Sequence, residues 1–599
     1  MTNAKRTMEK ISNERSEFIV IGLTGRTGSG CSSVAQMLAQ EDFYIPESSP
    51  MYESAVEKRK YNVLRKFYAK NHQPFICIQV RTILTYKILE LNFDKFIDLL
   101  CGVSYAERAD VEDKLNEFKS SYNNAYKKVI EFNEMPEKNE AEKQLKKDQA
   151  WDLFFGFLPR FSNEIKDFLQ KNIEEGAYTD LYQQVGDHIR ASGSANQHVF
   201  SKGKVFTIPV IINQLIKVIR GRNELKDSAR IIIDAIRNPY EASYFHNRYS
   251  AFYLFSINTP NEERLSHLRR SHKFSEIQIN KLDEKEYPRR LDGEKIFVSQ
   301  DIQKCIESAD IHINNPDRDE ENRTALASQL VWYVSLILHP GLVTPTPIER
   351  CMQLAYTAKL SSGCISRKVG AVVTDSSYSI KSVGWNCTPY GQMPCVLRDA
   401  NELINEPIEL VYSEYERNDE AFRRVLKSTF KPILTSALVK GRTIPYCFKD
   451  LQNRVEGEKN QVHTRSLHAE ENAFLQISKY GGAGINDGVL FTTASPCELC
   501  SKKACQLGIN KIYYIDPYPG ISKEHIMSSN INATPELILF RGAIGKAYHK
   551  VYHPIMAEKD ELQLLTGYVY ADGDNKDKKD IKIKQLEAEI VKLKGQQTT

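Results

Sequence analysis

The chain has 599 residues, and its 81 Lys and Arg against 77 Asp and Glu leave a net charge of +4. That length exceeds what one compact core organises, so two or three domains are expected. So small a charge excludes a globally basic nucleic-acid-coating protein while leaving local patches open. Hydrophobic residues make up 41% and charged residues 26%, as in globular chains. No apolar run reaches the roughly 18 residues of a membrane span, and Met1 to Glu17 lacks the apolar centre of a signal peptide. The 12 cysteines are irregularly spaced. They read as reduced thiols and metal ligands, so a cytoplasmic location without a membrane partner is expected.

In chain order, Phe18 to Thr24 (FIVIGLT) predicts a buried strand. It runs into Gly25-Arg26-Thr27-Gly28-Ser29-Gly30-Cys31-Ser32, after which Val34, Met37 and Leu38 fall at helical spacing. Strand, glycine-rich loop and helix form the context in which backbone N–H groups cradle phosphates. Gly25, Gly28, Ser29, Gly30, Cys31 and Ser32 are therefore candidate phosphate contacts, with Ser32 suited to a Mg²⁺ ion. The lysine that normally reaches the transferred phosphate is replaced by Cys31. Phe75 to Val80 predicts a second strand, residues 93 to 180 long amphipathic helices, and Arg230 to Asp234 (RIIID) a buried strand ending in an acid. Phe252 to Ile257 and Ile311 to Asn314 add strands, and Arg264, Arg269 and Arg270 between them form a basic cluster suited to a phosphate-closing lid. The alternation predicts a doubly wound α/β domain.

His339 to Pro347 (HPGLVTPTP) predicts a linker. Beyond it come a helix from Ile348, strands at Val369 to Thr374 and Lys381 to Trp385, and a helix over Ser466 to Ser478. A strand at Val489 to Thr493, a helix from Cys500 and a strand at Ile512 to Ile515 follow. His468-Ala469-Glu470 and Pro496-Cys497-Glu498-Leu499-Cys500 carry the chemistry. His468, Cys497 and Cys500 offer three borderline-soft ligands suited to Zn²⁺, with a fourth position left for water. Glu470 is the candidate proton carrier. A structural zinc would want a fourth protein ligand, for which Cys505 is the nearest candidate. The tail, 561–599, is charged, and Ile583, Leu586, Ile590 and Leu593 recur at heptad spacing.

These motifs carry two resemblances. With its loop and Asp234, the region 1–338 resembles P-loop nucleotide kinases of the nucleoside-monophosphate kinase type, which implies a nucleotide, with or without Mg²⁺, at that loop. Cys364-Ile365-Ser366-Arg367-Lys368-Val369-Gly370-Ala371, then Gly384-Trp385-Asn386-Cys387-Thr388-Pro389-Tyr390-Gly391, then the two zinc phrases, resemble deoxycytidylate deaminases. That implies a cytidine-deaminase-like α/β/α domain over 348–560. Asn386 is expected over a deoxynucleotide, Arg367 and Lys368 towards its 5′-phosphate, and the backbone at Ala469 on the pyrimidine edge. Some members hold a second, structural zinc, whose ligands fall at Cys364 and Cys395, with His463 a candidate third.

The whole arrangement resembles bacterial antiphage dCTP/dCMP deaminases. The resemblance implies hydrolytic deamination of deoxycytidine nucleotides, a homo-oligomer (hexameric in many deoxycytidylate deaminases), and a regulator such as a small RNA or a nucleotide. Three other readings stand beside it: a bifunctional nucleotide kinase/deaminase of pyrimidine metabolism, a polynucleotide cytidine deaminase, and a scaffold with a structural zinc. Residues 392–462 form an insertion of unassigned role.

Overall fold

A computed structural model describes the chain from residue 6 to 568 apart from residues 9, 12–15, 104–107, 174–175, 223–227, 272, 289–290, 317–319, 435–440, 482–483, 517–521 and 529–533, and also a few residues between 582 and 589. Ile590 and Leu593 of the heptad pattern lie outside the described residues. Among the described residues no helix is long and apolar enough to cross a membrane.

The first sheet contains β1 (Phe18–Thr24), β2 (Ile76–Ile78), β3 (Ala229–Ile233), β4 (Phe252–Asn258) and β5 (Ile311–Asn314). The second contains β6 (Gly370–Thr374), β7 (Ile380–Trp385), β8 (Val489–Ala494), β9 (Lys511–Asp516) and β10 (Glu536–Leu539). A last strand, β11 (Gly542–Ala543), returns to the first sheet. The strand orders are β11-β5-β4-β1-β3-β2 and β10-β9-β8-β6-β7.

β1 to β5 pair in parallel, and β3 and β4 are buried at every position. Apolar runs such as Ile231–Ile233 and Phe252–Phe255 are what a sheet covered on both faces requires. One face packs against the helices between residues 80 and 219, and the other against α1 (Cys31–Leu38) and α5 (Glu320–Leu338). β1 lies at the centre, so its loop opens at the carboxyl edge, where open α/β sheets bind ligands. Two helices lie over that edge, α2 (Asn261–Ser271) and α3 (Glu276–Glu286), and α4 (Ile302–Glu307) precedes β5.

The segment read as a linker ends at Thr346, whose hydroxyl accepts the Glu349 N–H and starts α6 (Pro347–Ala358) with Pro at its first position. In the second sheet β6 pairs antiparallel with β7 and β8, while β8, β9 and β10 run parallel. α6 packs on one face, and α7 (Ala469–Tyr480) and α8 (Glu498–Gln506) on the other. β11 pairs antiparallel with β5, and α9 (Gly545–Tyr552) places Ala547 and Val551 in the first sheet's core. The two layers are thus joined by residues that follow the second sheet in the chain. Residues 392–462 form their own small core around Tyr412, Phe422, Leu426 and Tyr446.

Candidate active site

The site is assembled by two helix starts. His468 is the N-cap of α7, where its N–H is accepted by the Glu471 carboxylate at 3.4 Å. Cys497 is the N-cap of α8, directly after β8, and Cys500 lies in that helix's first turn. α7 sits tightly on β7 because Gly384 has no side chain: a Cβ there would come 2.5 Å from the Ala473 nitrogen. The Cys497 and Cys500 sulfurs stand 3.3 and 3.4 Å from His468 Nδ1. The three donor atoms lie within 4.8 Å of one another, the only such group among the described residues.

The donor set fits a divalent zinc ion. Cys497 is held down to about 4, first by a hydrogen bond from Cys500, while Cys500 is pushed up by the same contact and by burial. One thiol must keep a proton so that two thiolates do not face each other. A cation in that place removes the conflict, as in three-ligand zinc sites.

Glu470 follows one residue into α7 and is 4% exposed. Its Oε1 accepts the Thr492 hydroxyl at 3.2 Å and its Oε2 the Cys500 thiol at 3.6 Å. Burial pushes its carboxyl above the ordinary range. His468, Glu470 and Cys497 open on a cavity of about 450 Å³, a volume in the range of small-molecule pockets.

The structure places the other expected residues as follows. Ala469 lines the cavity. Asn386 lines it too, but its amide is engaged: Oδ1 accepts the Val369 N–H at 2.8 Å and Nδ2 donates to the Arg367 carbonyl at 2.6 Å. It therefore shapes the 367–369 wall. Arg367 borders the cavity while its guanidinium pairs with Glu307 at 3.0 Å and with the fully buried Asp516. Lys368 is exposed and does not line the cavity. Cys364 and Cys395 line the cavity, whereas His463 pairs with Glu456 at 2.9 Å. These three form no common donor cluster: the His463 ring is taken up by Glu456 and by an edge contact with Phe448.

At the first sheet, Gly25 to Gly30 do link β1 to α1, with Gly28 and Gly30 at φ 89° and 100°. Ser29 and Cys31 approach at 3.7 Å, and burial pushes the Cys31 thiol up to about 11, so it is neutral. Ser32 occupies the first turn of α1. Asp234 accepts the Val80 N–H at 2.9 Å, tying β3 to the helix that follows β2. Arg269 and Arg270 pair with Glu276 and Ser266 on the surface, and Arg264 turns inward.

Sequence reasoning missed Thr492, the Lys503–Glu471 pair beside His468, and the wall that the insertion contributes through Phe448, Lys449 and Gln461. It also missed Arg465, which lines the cavity with its Nη1 3.7 Å from Glu416 and without a hydrogen bond. Its position three residues before His468 was the available signal.

Comparison with known proteins agrees with this geometry. Residues 345–516 match the family described as the cytidine and deoxycytidylate deaminase zinc-binding region. The deoxycytidylate deaminase of Enterobacteria phage T4 is 28% identical over 169 residues, which cover 28% of this chain and 76% of that protein. The deoxycytidylate deaminase of Schizosaccharomyces pombe is 25% identical over 182 residues, 30% of this chain and 41% of that one. Among solved structures, the dCMP deaminase of cyanophage S-TIM5 in complex with dCMP and dUMP is 24% identical, covers 33% of this chain and 99% of its own, and has a TM-score of 0.20. The C-terminal region is a deaminase domain with a zinc-binding region, and the chain is an enzyme, a hydrolytic deaminase.

Proposed function

We propose that this enzyme deaminates deoxycytidine nucleotides, dCMP and/or dCTP, to deoxyuridine nucleotides, and that depletion of the deoxycytidine pool serves antiphage defence. The observation that carries the chemistry is the buried Glu470 carboxyl beside the His468, Cys497 and Cys500 donors at the floor of the cavity. The named relatives support the nucleotide. The resemblance to antiphage deaminases supports the physiological role, the homo-oligomer and the regulating small RNA or nucleotide.

Zinc held by His468, Cys497 and Cys500 supplies, when bound, a water acidified from about 15.7 towards about 7. Glu470 takes a proton from the water that attacks C4 of the pyrimidine and delivers it to N3. The same carboxyl then takes the second proton from the oxygen now bonded to C4 and gives it to the amino group; the C4–N bond breaks as C4=O forms, so cytosine and water become uracil and ammonia. Thr492 orients the carboxyl during both transfers. The backbone at Ala469 holds the pyrimidine edge, and Asn386 and Arg367 build the wall beside it.

The loop Gly25 to Ser32, with Asp234, is read as a nucleotide-binding phosphate site that senses rather than transfers, since a neutral thiol stands at position 31. The boundaries 1–338 and 348–560 describe the two units, with β11 and α9 contributed back to the first.

The test is deamination of dCMP, dCTP, cytidine and single-stranded DNA by the purified zinc-loaded protein, followed by chromatography of the products. Conversion of dCMP or dCTP with no conversion of DNA is expected. Conversion of DNA alone overturns the substrate assignment.

A further inference from the structure

The loop after β1 already holds an anion, and that anion belongs to the protein. The Thr27 N–H donates to both oxygens of Glu286, at 3.1 and 3.0 Å, and the Thr27 hydroxyl donates to the same carboxylate. Arg237, just beyond β3, pairs with Glu286 at 2.6 Å, and the Glu286 side chain is fully buried. One turn earlier on α3, Asp283 takes Arg26 of the loop at 2.6 Å and Arg264 of α2 at 2.7 Å. Arg264 also donates to the Thr27 carbonyl at 3.2 Å, and its side chain is fully buried. Yet Nε of both Arg264 and Arg26 is buried without a hydrogen-bond partner. Gly30, the residue before α1, gives that helix no side-chain cap, and its first turn has no acidic residue.

These contacts have the chemistry of a polyphosphate cradle. The Thr27 N–H and hydroxyl and three arginines converge on two carboxylates spaced a helical turn apart, next to the loop that opens α1. The arginines supply the positive charge that Cys31, a neutral thiol, does not. Two carboxylates satisfy such a cradle incompletely. Each offers one negative charge, and the two guanidinium Nε donors stay unfilled where phosphate oxygens would reach them.

α3 is also poorly anchored elsewhere. With α2 it shares a separate small cluster of Leu268, Phe274, Ile279 and Leu282. Its remaining ties include the exposed Lys281–Asp180 pair and the Lys285–Asp187 contact at 3.8 Å. The first is screened by solvent and contributes little, and the second is half-buried but long, so α2 and α3 form the kind of segment that opens locally.

We propose that Asp283 and Glu286 are an internal surrogate for a polyphosphate: they hold the loop closed, and the di- or triphosphate chain of a nucleotide binds there by displacing α3. This rests on the reading of the loop as a phosphate site. The test is calorimetric titration of the full-length protein, wild type, Asp283→Asn and Glu286→Gln, with inorganic tripolyphosphate and separately with Mg²⁺-ATP. Removing one competing carboxylate should tighten binding roughly tenfold or more, with ATP tighter than tripolyphosphate. Equal or weaker binding by the variants, alongside measurable binding by the wild type, overturns the surrogate and leaves the loop reading standing. No binding by any of the three overturns both. Should Glu286→Gln fail to fold, Asp283→Asn carries the same expectation. In the wild type, hydrogen exchange over 276–286 should rise on adding tripolyphosphate, and unchanged protection there under saturation overturns the displacement.

Discussion

Replacing Glu470 by Gln isolates the proton carrier from everything that shapes it. The side chain keeps its volume, and an amide oxygen can still accept the Thr492 hydroxyl, now at 3.2 Å. Folding should not suffer, because burial already disfavours the ionised carboxylate. A neutral amide in that place leaves the melting temperature unchanged or slightly raised. Metal binding should also survive, since the donors are His468, Cys497 and Cys500. What is lost is proton transfer. General acid–base catalysis is worth about 10²–10⁴-fold, and one carboxyl here serves both the proton arriving at N3 and the one leaving with ammonia. The upper end, about 10⁴ in kcat or ~5.4 kcal/mol of barrier, is therefore expected. The assay is ammonia release from dCMP under saturation, with zinc measured by atomic emission on the same preparation. A variant retaining zinc and more than a tenth of wild-type kcat would refute the role assigned to Glu470.

Three further outcomes follow from packing and charge. Gly384→Ala drives a methyl into the backbone of α7, 2.5 Å from the Ala473 nitrogen; shifting His468 by even ~1 Å should cost about 10²-fold in kcat, and wild-type turnover would show that this close approach is not needed. Glu349→Ala strips the acceptor from Tyr333 at 3.0 Å, Tyr552 at 2.8 Å and the Ala543 N–H at 3.1 Å. At about 1–3 kcal/mol for each buried donor left unpaired, urea unfolding should show a loss of roughly 3–5 kcal/mol, and a loss below about 1 kcal/mol would contradict the accounting. Asp516 is pushed up from 3.8 to about 7, mainly by burial and against the Arg367 guanidinium. A raised carboxyl favours the protonated folded form, so its contribution is whole below its ordinary value and is lost as pH rises through about 7. The wild-type melting temperature should fall between pH 5 and 8 more steeply than that of Asp516→Asn, and parallel slopes would exclude this carboxyl as the cause.

The clustering of His468, Cys497 and Cys500 was legible because their spacing is local. A His two residues before a Glu, and a Pro before Cys-x-x-Cys, each fall at a helix start, where the first turn points its side chains at one place. The buried strands were legible for a similar reason: FIVIGLT and RIIID are short, rich in β-branched residues and bounded by polar ones. Arg367 was misjudged because its partners, Glu307 and Asp516, lie 60 and 149 residues away, and no local pattern announces an ion pair of that reach. The arginine cluster is a second case of the same kind. Arg264, Arg269 and Arg270 look alike in sequence, yet only Arg264 turns inward, because Asp283 waits on a neighbouring helix. β11 was invisible, being two residues long and made by pairing with a strand more than 200 positions earlier.

Those long-range contacts define how the two sheets meet. At one edge the junction is rigid. α6 packs Cys351, Met352 and Ala355 into the core of the second sheet, while Glu349 on the same helix accepts from Tyr333, Tyr552 and Ala543 of the first. One helix thus belongs to both layers, and neither can slide without breaking buried hydrogen bonds. At the other edge the junction is polar. Gln303 and Glu307 of α4 reach Asp516 and Arg367, and Tyr287, the residue after α3, feels the Asp516 charge and takes Arg26 of the loop over its ring at 5.1 Å. Because the Asp516 carboxylate is fully buried, losing its Arg367 partner would leave an uncompensated charge, so this seam is held as well. The loop after β1 and the wall of the cavity are thus tied to one buried carboxylate, Asp516, through Tyr287 on one side and Arg367 on the other.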